Sequence, residues 1–492
     1  MINYYSIRGT ERGDWCGFIE SVSLWNDREK FDNTRNEWNA FKTKWDKEYK
    51  DNFERLSVFV GEDESKLNFG WYSTTTNTPS IIFGTSKDMS DAITFDGTNE
   101  YYTTLKGVKY YANKVTVTNL KRNSVYYYQR VLNGKKEEVV QFKTYDPLNY
   151  SFIFMGDPQI GGSNERVSAL NKEKTLTIPE AIRNDAFNWN VTIHNSIKFA
   201  KTPSVLLSAG DQTDTECYDA EEKELIYQEN EYSAFLLPDL MKQIPTAISV
   251  GNHDSYTENF RHHFNMPNEY IADTSRIKNY KNFLPAHNYY FKYNNALVVV
   301  LETNYHSCEN FGDTIKEAIK KYPTVDWRIA MFHHDIYSNG KSHSDEHYIK
   351  DTLRGCLTEL FDKNDFDLVI NGHDHVYTIS HFVSYDNNRK GYNVTPLKRG
   401  EVQKNPKGTL YVTANCSSGS KFKTFDSEER DYLYYYEQPY TASFGVVEFK
   451  AEYGKKIQLV VNTYSVDTNK LIDGPYILEK TSKVYKKTFI FL

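Results

Sequence analysis

Five short apolar runs in this chain are each followed within a few positions by oxygen or imidazole ligands. Ser151 to Met155 leads into Gly156-Asp157-Pro158-Gln159, Val205 to Ser208 into Gly210-Asp211, and Ala247 to Val250 into Gly251-Asn252-His253-Asp254. Ile329 to Phe332 leads into His333-His334, and Leu368 to Asn371 into Gly372-His373-Asp374-His375. Runs of this length and composition read as buried strands of an α/β sheet. Ligands of such sheets gather beyond the carboxyl ends of the strands, so five loops are expected to open onto one face.

The residue types suggest the chemistry. A pair of divalent metals needs hard or borderline ligands, one of them able to bridge, with positions left open for substrate and water. Carboxylate, amide oxygen and imidazole meet that need, and the absence of cysteine from all five stretches argues against a thiolate zinc site. Each stretch alone has a plainer reading. A Gly-Asp after a strand is ordinarily a turn, and of two adjacent histidines one is ordinarily buried and one solvated. The joint occurrence of all five, each after a strand, carries the metal-site reading.

Composition narrows the partners. A formal net charge of -7 gives no basic footprint, so a nucleic-acid polymer is not expected as a partner, while a small phosphate ester is allowed. Cys16, Cys217, Cys308, Cys356 and Cys416 are odd in number and widely spaced, and no disulfide framework follows from them. No run approaches the ~20 apolar residues of a membrane-spanning helix. Met1 to Ile19 also lacks the basic-then-apolar layout of a signal peptide. Oligomeric state is not legible in these patterns.

The organisation along the chain suggests three parts. Residues 1–55 form a helical or extended segment in which Trp38, Phe41, Trp45, Tyr49 and Phe53 recur at helical spacing, the stripe of an amphipathic helix packing on a neighbouring domain. Residues 56–146 show short strand runs separated by turns such as Asn133-Gly134, an all-β sandwich signature. Residues 147–492 alternate strand and helix patterns, including a helix with Pro179 in its first turn. The later runs Ala296 to Leu301, Thr409 to Thr413, Phe444 to Phe449 and Ile457 to Val461 suit a second sheet packed on the first. Asp431 to Tyr440 reads as a tyrosine-rich loop, and Cys416 to Ser420 as a small-residue turn after a strand.

In this order the five blocks resemble the calcineurin-like metallophosphoesterase superfamily, and within it the purple acid phosphatase-like branch. The stretch Lys114 to Tyr128 resembles the end of the fibronectin type III-like domain that precedes the catalytic domain there, with Tyr127 at a tyrosine corner. The resemblance implies a four-layer sandwich of two mixed β-sheets flanked by helices, preceded by that all-β domain. It implies two metal ions, drawn from Fe, Mn or Zn. Asp157 would bind the first metal, Asp211 would bridge both, Asn252, His333 and His373 would hold the second, and His375 would return to the first. His253 would protonate the leaving oxygen or contact phosphate, Asp254 would raise its basicity, and His343 would be a second substrate-facing histidine.

Two departures accompany the match. The tyrosine that colours the purple enzymes is replaced by Asp214, and the histidine of the wider superfamily two residues after the first aspartate is replaced by Gln159. Either Gln159 or Asp214 could complete the first metal's ligands. The implied activity is acid-phosphatase-like hydrolysis of phosphomonoesters by hydroxide. A phosphodiesterase or nucleotidase is the alternative within the fold, and a non-catalytic binding or adhesion protein with a degenerate metal site is the alternative outside it. Relatives of this architecture are commonly exported, so an extracytoplasmic location is expected if the true start lies upstream.

Overall fold

The computed structural model describes residues 37–166, 175–219, 221–277, 283–341, 343–387, 390–426, 428–452 and 456–485. Among them the strands form three sheets of 11, 8 and 5 strands. In the largest, Asn149–Met155, Pro203–Ser208 and Thr246–Ile248 lie side by side and parallel, with Met155 opposite Ser208 and Ser208 opposite Ile248. Their carboxyl ends are therefore level. In the second sheet Ala296–Val300, Trp327–Met331, Leu368–Asn371 and Thr409–Thr413 run parallel in the same way.

These strands are predominantly apolar because both of their faces are covered. In Trp327–Met331, Ile329 and Met331 join the large core between the two sheets, while Ala330 joins a second core under the helices Cys308–Lys321 and Arg354–Lys363. On the other side the helix Ile178–Phe199 covers the first sheet. Its Trp189 is fully buried, stacked on Phe235 at 5.1 Å with its indole N–H donating to the Phe235 carbonyl at 2.8 Å. The result is the expected layering of helices, sheet, sheet and helices, with an all-β domain in front.

Several expectations shift. Ser443–Ala451 and Lys456–Ser465, expected in the second sheet, extend the first, where Ser443–Ala451 pairs antiparallel with Asn149–Met155. The edge left open beside Asn149–Met155 is satisfied by the returning chain. The 431–440 stretch contains a strand, Leu433–Glu437, paired with Tyr377–Tyr385. The N-terminal sandwich is not separate either: Ser57–Val60 pairs parallel with Thr246–Ile248, so its sheet runs on into the catalytic one. Its tyrosine corner involves Tyr126 and not Tyr127, since the Lys121 N–H donates to the Tyr126 hydroxyl at 2.6 Å. Strands also form at Ile93–Asp96 and Thr98–Leu105, where no run was expected.

Within the described part of the N-terminal segment, Trp38 and Phe41 meet Phe187 of the long helix edge-on at 5.6 and 5.3 Å. The aromatic stripe thus packs on the catalytic domain. Residues 27–36 of the expected helix lie outside the described residues. Cys308 and Cys356 form a disulfide between two helical segments, a pairing their spacing did not suggest.

Candidate metal centre

All five ligand loops meet at one place. Where the first and second strands end, the loops are tied together: Gln159 N–H donates to the Asp211 carbonyl at 2.7 Å, and Asp214 N–H to the Ile160 carbonyl at 3.0 Å. Glycines permit the crowding. A Cβ on Gly251 would strike the Asp211 side chain, and one on Gly210, whose φ is +96°, would strike the His333 ring. Asp157, Gln159, Asp211, His373 and His375 all have φ between +34° and +74°, a region that costs non-glycine residues of order 1–3 kcal/mol each. Such backbone conformations cluster where a site is over-determined by its surroundings.

The second-metal position is closely drawn. Asn252 Oδ1 lies 3.0 Å from His333 Nε2 and 3.1 Å from His373 Nδ1, and the two ring nitrogens are 3.2 Å apart. Asp211 Oδ2 is 3.3 Å from His333 Nε2. Ligands about 2.0–2.1 Å from a tetrahedral ion are separated by about 3.3 Å, so the Asn252, His333 and His373 atoms have the mutual spacing of ligands to one ion, with Asp211 beside His333. The His333 Nδ1–H donates to the Ala209 carbonyl at 2.9 Å, which leaves Nε2 free to ligate.

At the first position His375 Nε2 faces Asp157 Oδ1 at 3.5 Å, and its Nδ1–H donates to the Lys421 carbonyl at 3.1 Å. Asp157, Asp211 and His333 offer ligand atoms within 4.8 Å of one another, all buried. Burial, with nearby cations, holds His373 and His375 well below the usual imidazole range, in the neutral form that binds metals. Burial likewise lifts Asp157 to about 8, with the Asp211 carboxylate adding to it. Burial alone would lower His333, but Asp211 and Asp157 outweigh it and raise the ring to about 9. The two buried carboxylates share the His333 ring as a counter-charge, and the donor set fits a pair of cations.

The substrate-side residues depart from expectation. His253 reaches the centre, with its backbone N–H on Asp211 Oδ1 at 3.0 Å, but its ring is not held by Asp254. The Asp254 carboxylate is fully buried and accepts from Gly251, Gln212 and Thr213 N–H groups and from the Thr213 and Tyr232 hydroxyls. Turned into the loops by those donors, it braces the site and does not orient the histidine. His343 lies in the site, stacked on His373 at 4.3 Å, yet both ring nitrogens are engaged: Nδ1–H donates to the His373 carbonyl at 3.0 Å and Nε2 accepts from the Lys423 ammonium. Burial first, then Lys423, brings His343 down to about 4.

A polar cavity of about 450 Å³ opens over this cluster. Its walls include Arg166, Lys421, Lys423, Glu216 and Glu346, none of which stood out in the sequence, and His334, which is buried beside His333 and not solvated. Lys421 and Lys423 follow the small-residue turn after Thr409–Thr413, a further parallel strand whose end belongs to the same face. That rule of sheet topology was the available signal. His194, on the long helix, hydrogen-bonds to its own helix at Asn190 and takes no part.

Comparison with known proteins bears on the family and the fold. The calcineurin-like phosphoesterase family matches residues 150–377, and the purple acid phosphatase N-terminal domain matches residues 54–144. No curated protein sequence matches the chain. Among solved structures, a purple acid phosphatase, PPD1, isolated from yellow lupin (Lupinus luteus) seeds is similar at a TM-score of 0.58, with 13% identity over 87% of this chain and 74% of that chain; at this identity the likeness speaks to the fold. GAP50, the anchor in the inner membrane complex of Plasmodium, aligns with 14% identity over 68% of this chain and 91% of that chain at a TM-score of 0.39. A region matching the calcineurin-like phosphoesterase family, residues 150–377, thus follows a region matching the purple acid phosphatase N-terminal domain, residues 54–144.

Proposed function

We propose that this protein is a two-metal phosphomonoesterase of the acid phosphatase type, acting on small phosphate esters. The observation that carries the reading is the close grouping of Asn252, His333 and His373, with Asp211 beside His333, at an open polar cavity. The cluster would hold two divalent ions, which when bound would supply Lewis acidity toward the phosphoryl oxygens and acidify water. The chain does the rest. Asp157, Asp211, Asn252, His333, His373 and His375 are the proposed metal ligands. His253 stands at the cavity with its Nε2 turned toward the centre, 4.0 Å from Asp211 Oδ2, and is the proposed proton donor to the leaving oxygen. Lys423, held by His343, and Arg166 meet the negative charge of the phosphate.

The Cys308–Cys356 disulfide supports an oxidising, extracytoplasmic setting. Among the described residues no helix is long and apolar enough to cross a membrane. The test is hydrolysis of an aryl phosphate monoester and of the matching diester after reconstitution with Fe, Mn or Zn. Monoester turnover well above diester turnover is expected. A preference for the diester would replace the reading with a phosphodiesterase, and no turnover with any metal would leave a binding protein.

A further inference from the structure

We propose that Gln159 supplies the missing protein ligand of the first metal through its side-chain oxygen, and that the Asp214–Lys421 ion pair is what holds it there. The inference rests on the two-metal reading above. The Gln159 amide nitrogen donates to Asp214 Oδ1 at 3.0 Å, and because a carboxylate only accepts, that contact fixes which end of the amide is nitrogen. The other end, Oε1, is buried and has no donor, although the side chain lines the cavity with Asp211 and His375. A buried acceptor without a donor is costly to leave unmade. A cation beside His375 and Asp157 would satisfy it.

Asp214 is the poorer candidate. Its Oδ1 is held by the Lys421 ammonium at 2.5 Å and by Gln159, and the residue does not line the cavity. To bind a metal through Oδ1 it would have to break that ion pair. Lys421 has a second part in the arrangement, since its backbone carbonyl accepts from His375 Nδ1–H and turns His375 Nε2 toward Asp157. One lysine thus positions both neutral ligands of the first metal, His375 directly and Gln159 through Asp214.

The assignment fixes the charge of the centre. Asp157 and Asp211 bring two negative charges, and Gln159, like Asn252 at the other metal, brings none. A tyrosinate or a ligating Asp214 would bring a third. The centre is therefore suited to two divalent ions, and a trivalent iron loses its usual anionic partner.

Metal-free protein titrated with Zn²⁺, read by calorimetry and by metal content after gel filtration, tests this without recourse to activity. Wild type should bind two ions. Gln159→Ala and the near-isosteric Gln159→Met, each checked for an unchanged melting temperature in the metal-free form, should keep one ion at wild-type affinity. Their other ion should be loosened beyond the about 10–100-fold that loss of an orienting partner costs. Asp214→Asn and Lys421→Met should show that smaller loss, and Gln159→Glu should retain both ions and gain affinity for Fe(III). Two ions bound with unchanged affinity in both Gln159→Ala and Gln159→Met would overturn the proposal, as would Asp214→Asn losing an ion that those variants keep. If wild type itself fails to bind two ions, the two-metal reading falls and this inference with it.

Discussion

The Nδ1–H of His253 donates to the backbone carbonyl of Asp214 at 2.7 Å, so the ring is aimed by a main-chain oxygen and not by the carboxylate next to it in sequence. That leaves Nε2 as the proton-carrying face. His253→Ala should slow alkyl phosphates by about 10²–10⁴-fold and spare aryl phosphates with acidic leaving groups. Equal losses on both would mean that the ring only positions phosphate. Asp254→Asn should show no such selectivity. It puts an amide donor among backbone donors and should cost about 1–3 kcal/mol of stability, read as a lower melting temperature.

Asp211 is the proposed bridge between both metals, whereas His373 is a proposed ligand of one. Asp211→Ala should therefore lose both ions, and His373→Ala should mainly empty the second position. Metal content per chain decides it. Two ions and normal turnover in Asp211→Ala would show the centre to be wrongly assigned.

Acid should destabilise the fold through histidines remote from the centre. Burial depresses His306 to about 3 and His262 to about 3. An unfolded histidine titrates near 6.5, so between these values the unfolded chain binds the extra protons. Their contribution is complete above about pH 6.5 and is lost as pH falls toward 3. Glu302, 3.9 Å from His306 and raised by burial to about 7, acts in the opposite sense, its contribution being lost as pH rises through 7. The melting temperature of His306→Phe should fall less steeply between pH 6.5 and 3 than that of wild type. An identical slope would remove His306 from the account.

The Cys308–Cys356 bridge closes a loop with a sequence separation of 48. A closure of that length is worth about 4 kcal/mol in the chain-entropy account. Replacing both cysteines with serine should lower the melting temperature accordingly, and intact-mass measurement should show two hydrogens gained on reduction of wild type.

Position 214 carries a carboxylate already paired with Lys421. With no tyrosine there, an iron-loaded sample should lack an intense visible charge-transfer band, and an absorption spectrum is sufficient to check it. A purple sample would mean that another phenolate reaches the first metal.

The candidate ligands were readable in the chain because each is local: a buried strand, then a donor within a few residues. Sequence order and the rule that parallel strands present their carboxyl ends together were enough to bring Asp157, Asp211, Asn252, His333, His373 and His375 to one centre. What surrounds them was decided elsewhere. Asp254 serves the loops because Gly251, Gln212 and Thr213 surround it with N–H donors, and these residues meet only when two strands lie in register. Gln159 and Asp214 are 55 positions apart and Asp214 and Lys421 are 207 apart, so no local pattern could choose between the two candidate ligands. Strands such as Ile93–Asp96 were missed because they are largely exposed and leave no apolar run. The sequence by itself determined which atoms could bind metal, since that follows from residue type and strand position. Only the tertiary structure decided which way each was turned, because orientation depends on hydrogen bonds and charges that distant segments bring to the same place.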